Sequence, residues 1–279
     1  MGNGFTIRHQ QLGIDLDSMK KYLSTILILA LLVTTGVLIN APKAHAAISL
    51  VAHIAASGAS PTTAGINTSG ATLLVVSMSC FGGASSAPTD SNGNTWHEAK
   101  AILSGNESSL WYAYDKSGSA LVVGAGQTFS GGSNIFGLEV EAFSGTLTGS
   151  DPLDQTNGAL DSAPLASWQP GSITPGANNE VVISYAGVFN GSGIAVDSSM
   201  TITDKYDFAG GISYQQGLAY IVQTTAAAIN PTWSNLQSTG SAVIASYKAG
   251  ATSSTATPHG QLMINKAQAI INKGQVIVY

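Results

Sequence analysis

Charge is what this chain has least of. Only 9% of its 279 residues are Asp, Glu, Lys or Arg, and just ten are basic. The charged straight-chain residues that cover exposed helix faces are nearly missing, which argues against a helical protein. So few cations leave no basic patch to neutralise phosphates, which argues against nucleic acid as a partner. One cysteine, Cys80, stands in the whole chain, so no internal disulfide can form. Its place at the end of an apolar strand fits a buried thiol, with an intermolecular bridge as the other reading. Beyond the leader the histidines are His53, His97 and His259. None is spaced to a second His or to the Cys as zinc ligands are, and no metal is expected. A Gly-x-Ser-x-Gly elbow is missing, and Gly131-Gly132 lacks the strand-to-helix context of a phosphate loop. No catalytic residue and no cofactor is predicted.

What is present begins with an export signal. Lys20-Lys21 precede an uncharged apolar segment from Leu23 to Ile39, and Ala44-His45-Ala46 follows as a small-x-small cleavage site. This is the three-part plan of a secretory signal peptide, so residues 1–46 are expected to be a signal peptide with an N-terminal extension, translation starting at Met19. The alternative is an uncleaved anchor. Cleavage after Ala46 removes four basic and two acidic residues and takes the formal net charge from −5 to −7. The mature protein is expected to be secreted and free of the membrane.

Residues 47–250 read as strands. Leu73-Leu74-Val75-Val76-Ser77-Met78 is apolar on both faces, as a strand covered on two sides must be. Asp90-Ser91-Asn92-Gly93 predicts a hairpin turn, with Thr95–Ile102 as the return strand. Leu110, Tyr112 and Tyr114 alternate on an aromatic strand. Along 136–143, Leu138, Val140 and Ala142 alternate with Glu139 and Glu141, whose carboxyls are expected to face water. The connection 145–179 carries Pro152, Pro164, Pro170 and Pro175, shows no helical period, and is expected to hold short edge strands or to cross between sheets. About 110 residues on, the order returns. Val181-Val182-Ile183 is followed by Asp197-Ser198, by Leu218-Ala219-Tyr220 and by Ala242–Tyr247. Four strands per half predict an all-β protein, a jelly-roll-like antiparallel β-sandwich of two Greek-key halves, with an immunoglobulin-like sandwich as the alternative.

Residues 251–259 have linker composition. The tail 260–279 repeats every seven residues, from Gln261-Leu262-Met263-Ile264-Asn265-Lys266 through Gln268-Ala269-Ile270-Ile271-Asn272-Lys273 to Gln275-Val276-Ile277-Val278. A coiled coil and short strands both fit a heptad; three adjacent apolar residues rich in Ile and Val favour strands. Twenty residues cannot bury such a face alone, so the tail is expected to dock on the sandwich, on another copy by self-association, or on a surface.

Three groups of residues are candidates for chemistry. Asp90, Asn92 and Asn94 alternate oxygen side chains, as calcium loops do, but Gly and Glu are missing from the EF-hand positions, so a structural turn is preferred. Glu139 and Glu141 are paired as in retaining glycosidases, but their strand lacks the third acid of the familiar glucanase motif, so a solvated strand face is preferred to catalysis. Trp168, Trp233 and Trp111 are the predicted ligand contacts. Trp168 and Trp233 stand beside Pro170 and Pro231 and are expected to be exposed platforms for a sugar ring.

The stretches Asp90-Ser91-Asn92-Gly93-Asn94-Thr95-Trp96, Leu110-Trp111-Tyr112-Ala113-Tyr114, Val140-Glu141-Ala142-Phe143-Ser144-Gly145 and Pro152-Leu153-Asp154 together resemble a loose group of secreted bacterial proteins with a DSxGNxW turn. That group is described only as lectin-like or immunoglobulin-like β-sandwich modules. The resemblance spans residues 48–250. It implies an extracellular sandwich and transfers no catalytic residue. The function expected first is non-catalytic binding at a cell or matrix surface, with a glycan or cell-surface polymer as partner. A structural subunit that assembles through its tail is expected second, and a glycoside hydrolase third.

Overall fold

A computed structural model describes residues 20–21, 45–81, 86–102, 106–189, 193–209, 213–251, 270–272 and 275–277. Lys20 and Lys21 are helical; the apolar leader segment and the linker 252–259 lie outside the described residues. Among the described residues from His45 onward every regular element is a strand. In chain order they are β1 (Ser49–Ser57), β2 (Leu73–Phe81), β3 (Thr89–Asp90), β4 (His97–Ile102), β5 (Asn106–Tyr114), β6 (Phe129–Ser130), β7 (Ile135–Ser144), β8 (Leu153–Trp168), β9 (Glu180–Phe189), β10 (Ala195–Val196), β11 (Thr201–Ala209), β12 (Ser213–Gln223), β13 (Trp233–Tyr247), β14 (Ile270–Asn272) and β15 (Gln275–Ile277).

The recurrence read in the sequence is a recurrence of topology. The first half forms one antiparallel sheet in the order β1-β7-β2-β5-β4, and the second half forms another in the order β8-β13-β9-β12-β11. Each strand of one sheet has a counterpart at the same place in the other. Irregularities recur too. In pairing with its neighbour, β4 skips Ala99 as β11 skips Thr203. Likewise β1 skips Val51 as β8 skips Asp154. The short pair β3·β6 has its match in β10 against the start of β13. Among the described residues each half therefore holds five main strands, one more than the four expected, and no strand of one half joins the main sheet of the other.

Both sheets contribute to one core. Leu73, Val75, Leu110, Tyr112 and Phe143 from the first sheet pack with Val181, Ile183, Tyr185, Leu218, Val243 and Tyr247 from the second. The halves meet in reverse order, with β1 against β11, β2 against β9 and β4 against β8, as two copies related by a twofold axis would. The other face of each sheet is covered as well. Leu74, Val76, Met78, Leu138 and Val140 pack with Phe129, Trp96 and Leu121. Val182, Val188, Ala242 and Ile244 pack with Ile173, Ile194 and Ile229. The continuous apolar run of β2 is thus explained: one set of side chains meets the facing sheet and the other lies under the first half's own loops.

Three expectations are corrected. Asn92-Gly93 turns the chain, with Gly93 at φ 73, but it does not join paired strands. β3 pairs β6 and β4 pairs β5, so the turn passes from one sheet to another. The stretch 145–179 carries one long edge strand, β8, whose Pro164 is tolerated because only one side is paired. Glu139 and Glu141 point into the core between the sheets and are fully buried. In the tail, β14 and β15 form an antiparallel hairpin; residues 260–269 lie outside the described residues. The ends of the two-sheet body meet, since His45 bridges Ala251 and the Ala46 N–H donates to the Gly250 carbonyl at 2.7 Å.

Because the first core draws on both halves, neither half can bury its inner sheet face alone. Residues 44–149 and 150–251, produced as separate chains, should each be unfolded. Mixing them should restore the β-sheet circular dichroism and a cooperative melt. An independently folded half would contradict the shared core.

Candidate functional site

The turn after β3 is built around one carboxylate. Asp90 accepts hydrogen bonds from the Asn92 N–H at 2.8 Å, the Asn94 N–H at 3.2 Å and Asn94 Nδ2 at 3.1 Å. Trp96 Nε1 at 2.9 Å and Gln127 Nε2 at 3.0 Å complete the ring of donors. Asn94 then clasps Val122, accepting from its N–H at 2.7 Å and donating to its carbonyl at 2.9 Å. Asp90 is thus surrounded by N–H groups, and the Asn94 side chain is spent on a neighbouring segment. Among the described residues no group of three or more His, Cys, Asp or Glu is placed to hold a metal ion. The Asp-Ser-x-Gly-Asn-x-Trp spelling has a local meaning: Asp gathers the turn, Gly supplies its positive φ, Asn pins the next loop and Trp closes the lid over the outer core. Asp197 does the same work in the second half, accepting from the Thr232 N–H at 2.6 Å and from Ser198 Oγ at 2.8 Å.

Beside the first turn the surface opens into a cavity of about 250 Å³ lined by Asn94, Thr95, His97, Tyr114, Lys116 and residues 119–122. Its wall is aromatic. The His97 ring lies 5.4 Å from Tyr114 and 5.6 Å from Tyr112, and Tyr112 stacks on Tyr114 at 5.8 Å. Tyr112 is held from behind, donating to both Asp151 carboxylate oxygens at 3.0 Å. Burial, reinforced by that carboxylate, pushes the Tyr112 phenol well above its ordinary range, so it stays a donor. Tyr114 is only partly covered, and Lys116 is exposed and makes no ion pair among the described residues. The second half lacks this wall. Tyr114 and Val222 occupy equivalent positions, opposite Leu73 and Val181. His97 and Thr201 are likewise equivalent, opposite Tyr112 and Tyr220. Residues the fold demands recur in both halves; His97 and Tyr114 do not. In the sequence their only signal was the Leu110, Tyr112, Tyr114 alternation ending at Asp115-Lys116.

The three predicted tryptophans are not brought together. Trp233 is 0% exposed and Trp168 4% exposed, which corrects the expectation that both are open platforms. They lie opposite each other on β13 and β8, in the outer core of the second sheet. Trp233 Nε1 donates to Ser184 Oγ at 2.9 Å. Gly240 makes room for Trp168, since a Cβ there would stand 2.2 Å from the ring. The neighbouring prolines mark loops that fold back over the sheet, so proximity to a loop did not mean exposure. Trp111 is half-buried on the outer face of the first sheet, its Nε1 bonded to Ser109 Oγ at 3.2 Å.

The paired carboxyls lie elsewhere. Glu141 Oε1 accepts from Thr203 Oγ1 at 2.8 Å across the gap between sheets, while Glu141 Oε2 and Glu139 Oε1 have no hydrogen-bond partner among the described residues. Burial raises both acids. It pushes Glu141 up to about 8 against the opposing effect of the Thr203 hydroxyl, and holds Glu139 well above the carboxylate range, with Asp204 and Glu141 adding to it. Around them Ser79 Oγ and the Tyr185 phenol donate to Gln216 Oε1 at 2.7 and 2.9 Å. At the rim His53 Nδ1 stands 3.0 Å from Asp204 Oδ2. Neither glutamate reaches solvent, so in this arrangement neither can meet a glycosidic bond.

No family model, curated protein or solved structure matches the chain. The two halves therefore serve as each other's comparison. The Asp90→Ala variant leaves the ring of N–H donors without their acceptor and should lose on the order of 3 kcal/mol of stability. Adding calcium should leave the melting temperature of the unaltered protein unchanged. Thermal melts with calcium and with chelator check both statements.

Proposed function

We propose that this chain is an exported, non-catalytic β-sandwich module that binds a saccharide of a cell or matrix surface in the cavity beside the Asp90 turn. The observation that carries the reading is the aromatic wall of His97 and Tyr114 with the exposed Lys116 at its rim, present in one half and missing from the other. A stacked, partly exposed ring beside hydroxyl and ammonium donors suits a sugar, whose faces are apolar and whose rim is hydroxylated. The signal-peptide pattern of the leader and the resemblance to secreted lectin-like modules support an extracellular setting. The inward direction of Glu139 and Glu141 speaks against a hydrolase. Two facing antiparallel sheets support a jelly-roll-like description of the body. It departs from that description in keeping each half of the chain within its own sheet.

A second reading is favoured by the tail. β14 and β15 pair with each other and, among the described residues, with no other strand, which leaves their outer edges for strand addition to a neighbouring copy. Deleting residues 258–279 should then give a monomer where the full chain sediments as an assembly; an unchanged sedimentation profile removes this reading.

A glycan array probed with residues 47–279, followed by titration calorimetry of each hit, tests the first reading. Tyr114→Ala should weaken binding about tenfold or more while leaving the melt nearly unchanged, and Trp111→Ala should leave affinity unaltered. Binding to no glycan, or equal affinity in Tyr114→Ala, rejects the assigned cavity.

A further inference from the structure

We propose that one edge of the two-sheet body is a proton-held clasp: with Glu139 and Glu141 neutral, β1 and β7 close against β11, and ionisation of the pair releases that edge while the opposite edge stays shut.

The geometry comes first. β1 and β11 are the edge strands that meet on one side, and β4 and β8 are their counterparts on the other. The closed side is apolar. Ile102 of β4 packs onto Gly158 of β8, where a Cβ would already stand 3.0 Å from its Cδ1, and Ala99 lies on the shared core. The clasp side carries Glu141 bonded to Thr203, at the bulge equivalent to Ala99, and Asp204 against His53. The duplicated sheet is therefore broken in its chemistry here. Glu139 lies opposite Ser77 and Glu141 opposite Val75, while the equivalent positions opposite Tyr185 and Ile183 are Val243 and Ala245.

Ionisation is poorly met on this side. From β7 the acids face each other. From β11 comes Asp204, a like charge; from β9 Tyr185 and from β13 Tyr247, both neutral phenols within electrostatic range. From β1 comes His53, whose partner is Asp204 rather than either glutamate. Among the described residues the Thr203 hydroxyl is the one side-chain donor bonded to Glu141, and the Glu139 carboxyl has only the long contact from Ser77 Oγ at 3.5 Å. A carboxylate with one oxygen unpartnered in a dry core must be hydrated once charged, and Asp204 and His53 on the clasp side are both partly exposed to water. Both acids bind protons more tightly in the folded chain than in the unfolded one. Their contribution is therefore fully present below the ordinary Glu range near 4.5 and declines as pH rises toward about 8.

Amide hydrogen exchange on the full mature chain, corrected for the intrinsic rate at each pH, reads this edge by edge. Between pH 6 and pH 9 the protection of β1 and β11 should fall at least tenfold, and that of β4 and β8 less than threefold. Glu139→Gln/Glu141→Gln, neutral at every pH, should keep β1 and β11 protected at pH 9. The comparison of the unaltered protein at the two pH values stands even if that variant does not fold, and Glu141→Gln alone should give part of the rescue. Equal protection at both pH values overturns the clasp. So does a fall shared evenly by β4 and β8, which would mean that the acids merely lower the stability of the whole.

Discussion

The fold rests on burial from two sides. Each main sheet is sealed on its inner face by the other sheet and on its outer face by the loops of its own half. A strand in that position has no wet face, so its sequence has little room for charge, and a chain assembled from such strands ends with 9% charged residues. Exposed large apolar side chains are correspondingly few, Val51, Val122, Leu160 and Tyr206 among the described residues. The loops are structural parts here, gathered by the hydrogen-bonded carboxylates of Asp90 and Asp197.

This arrangement decides where function can reside. The surface that remains is loop surface, and recognition on a rigid sheet platform is commonly placed there. The aromatic wall stands at the end of β5, where the strand leaves the sheet and Tyr114 is no longer fully covered. A step inward, Tyr112 is buried and tied to Asp151. The pair shows a graded transition from core to surface along one strand, with the same residue type on each side of the boundary.

Much of the architecture was legible in the amino acids. The two-sided apolar run of β2, the aromatic alternation of β5 and the recurrence of strand order after about 110 residues all correspond to observed elements. The errors share one cause. Alternation gives the period of a strand but not which of its faces meets the core. Along β7 the Leu138, Val140 and Ala142 face looked like the core and the Glu139 and Glu141 face like the surface. The first set in fact packs under loops and the second between the sheets. Nothing local distinguishes two buried faces when one is lined with acids, because the group that bonds Glu141, the Thr203 hydroxyl, comes from the other half. Trp168 and Trp233 were misplaced for the same kind of reason, since a loop that folds back as a lid is not written in the two or three residues around a proline. The cavity was hardest to foresee: His97, Tyr114 and Lys116 become neighbours only through the β4–β5 register and the Asn94 clasp on Val122.

The matching bulges at Ala99 and Thr203 have a consequence for how acids came to be tolerated inside. Two separate, identical copies of one half, joined about the same axis, would present every inward glutamate twice. Four carboxyls would then crowd a single dry interior, with identical residues forced on both rims. Joining the halves in one polypeptide lifts that constraint. One copy can keep Val243 and Ala245 as plain filler while the other installs an ionisable pair, so covalent fusion gives an asymmetry that a true homodimer of the half could not have.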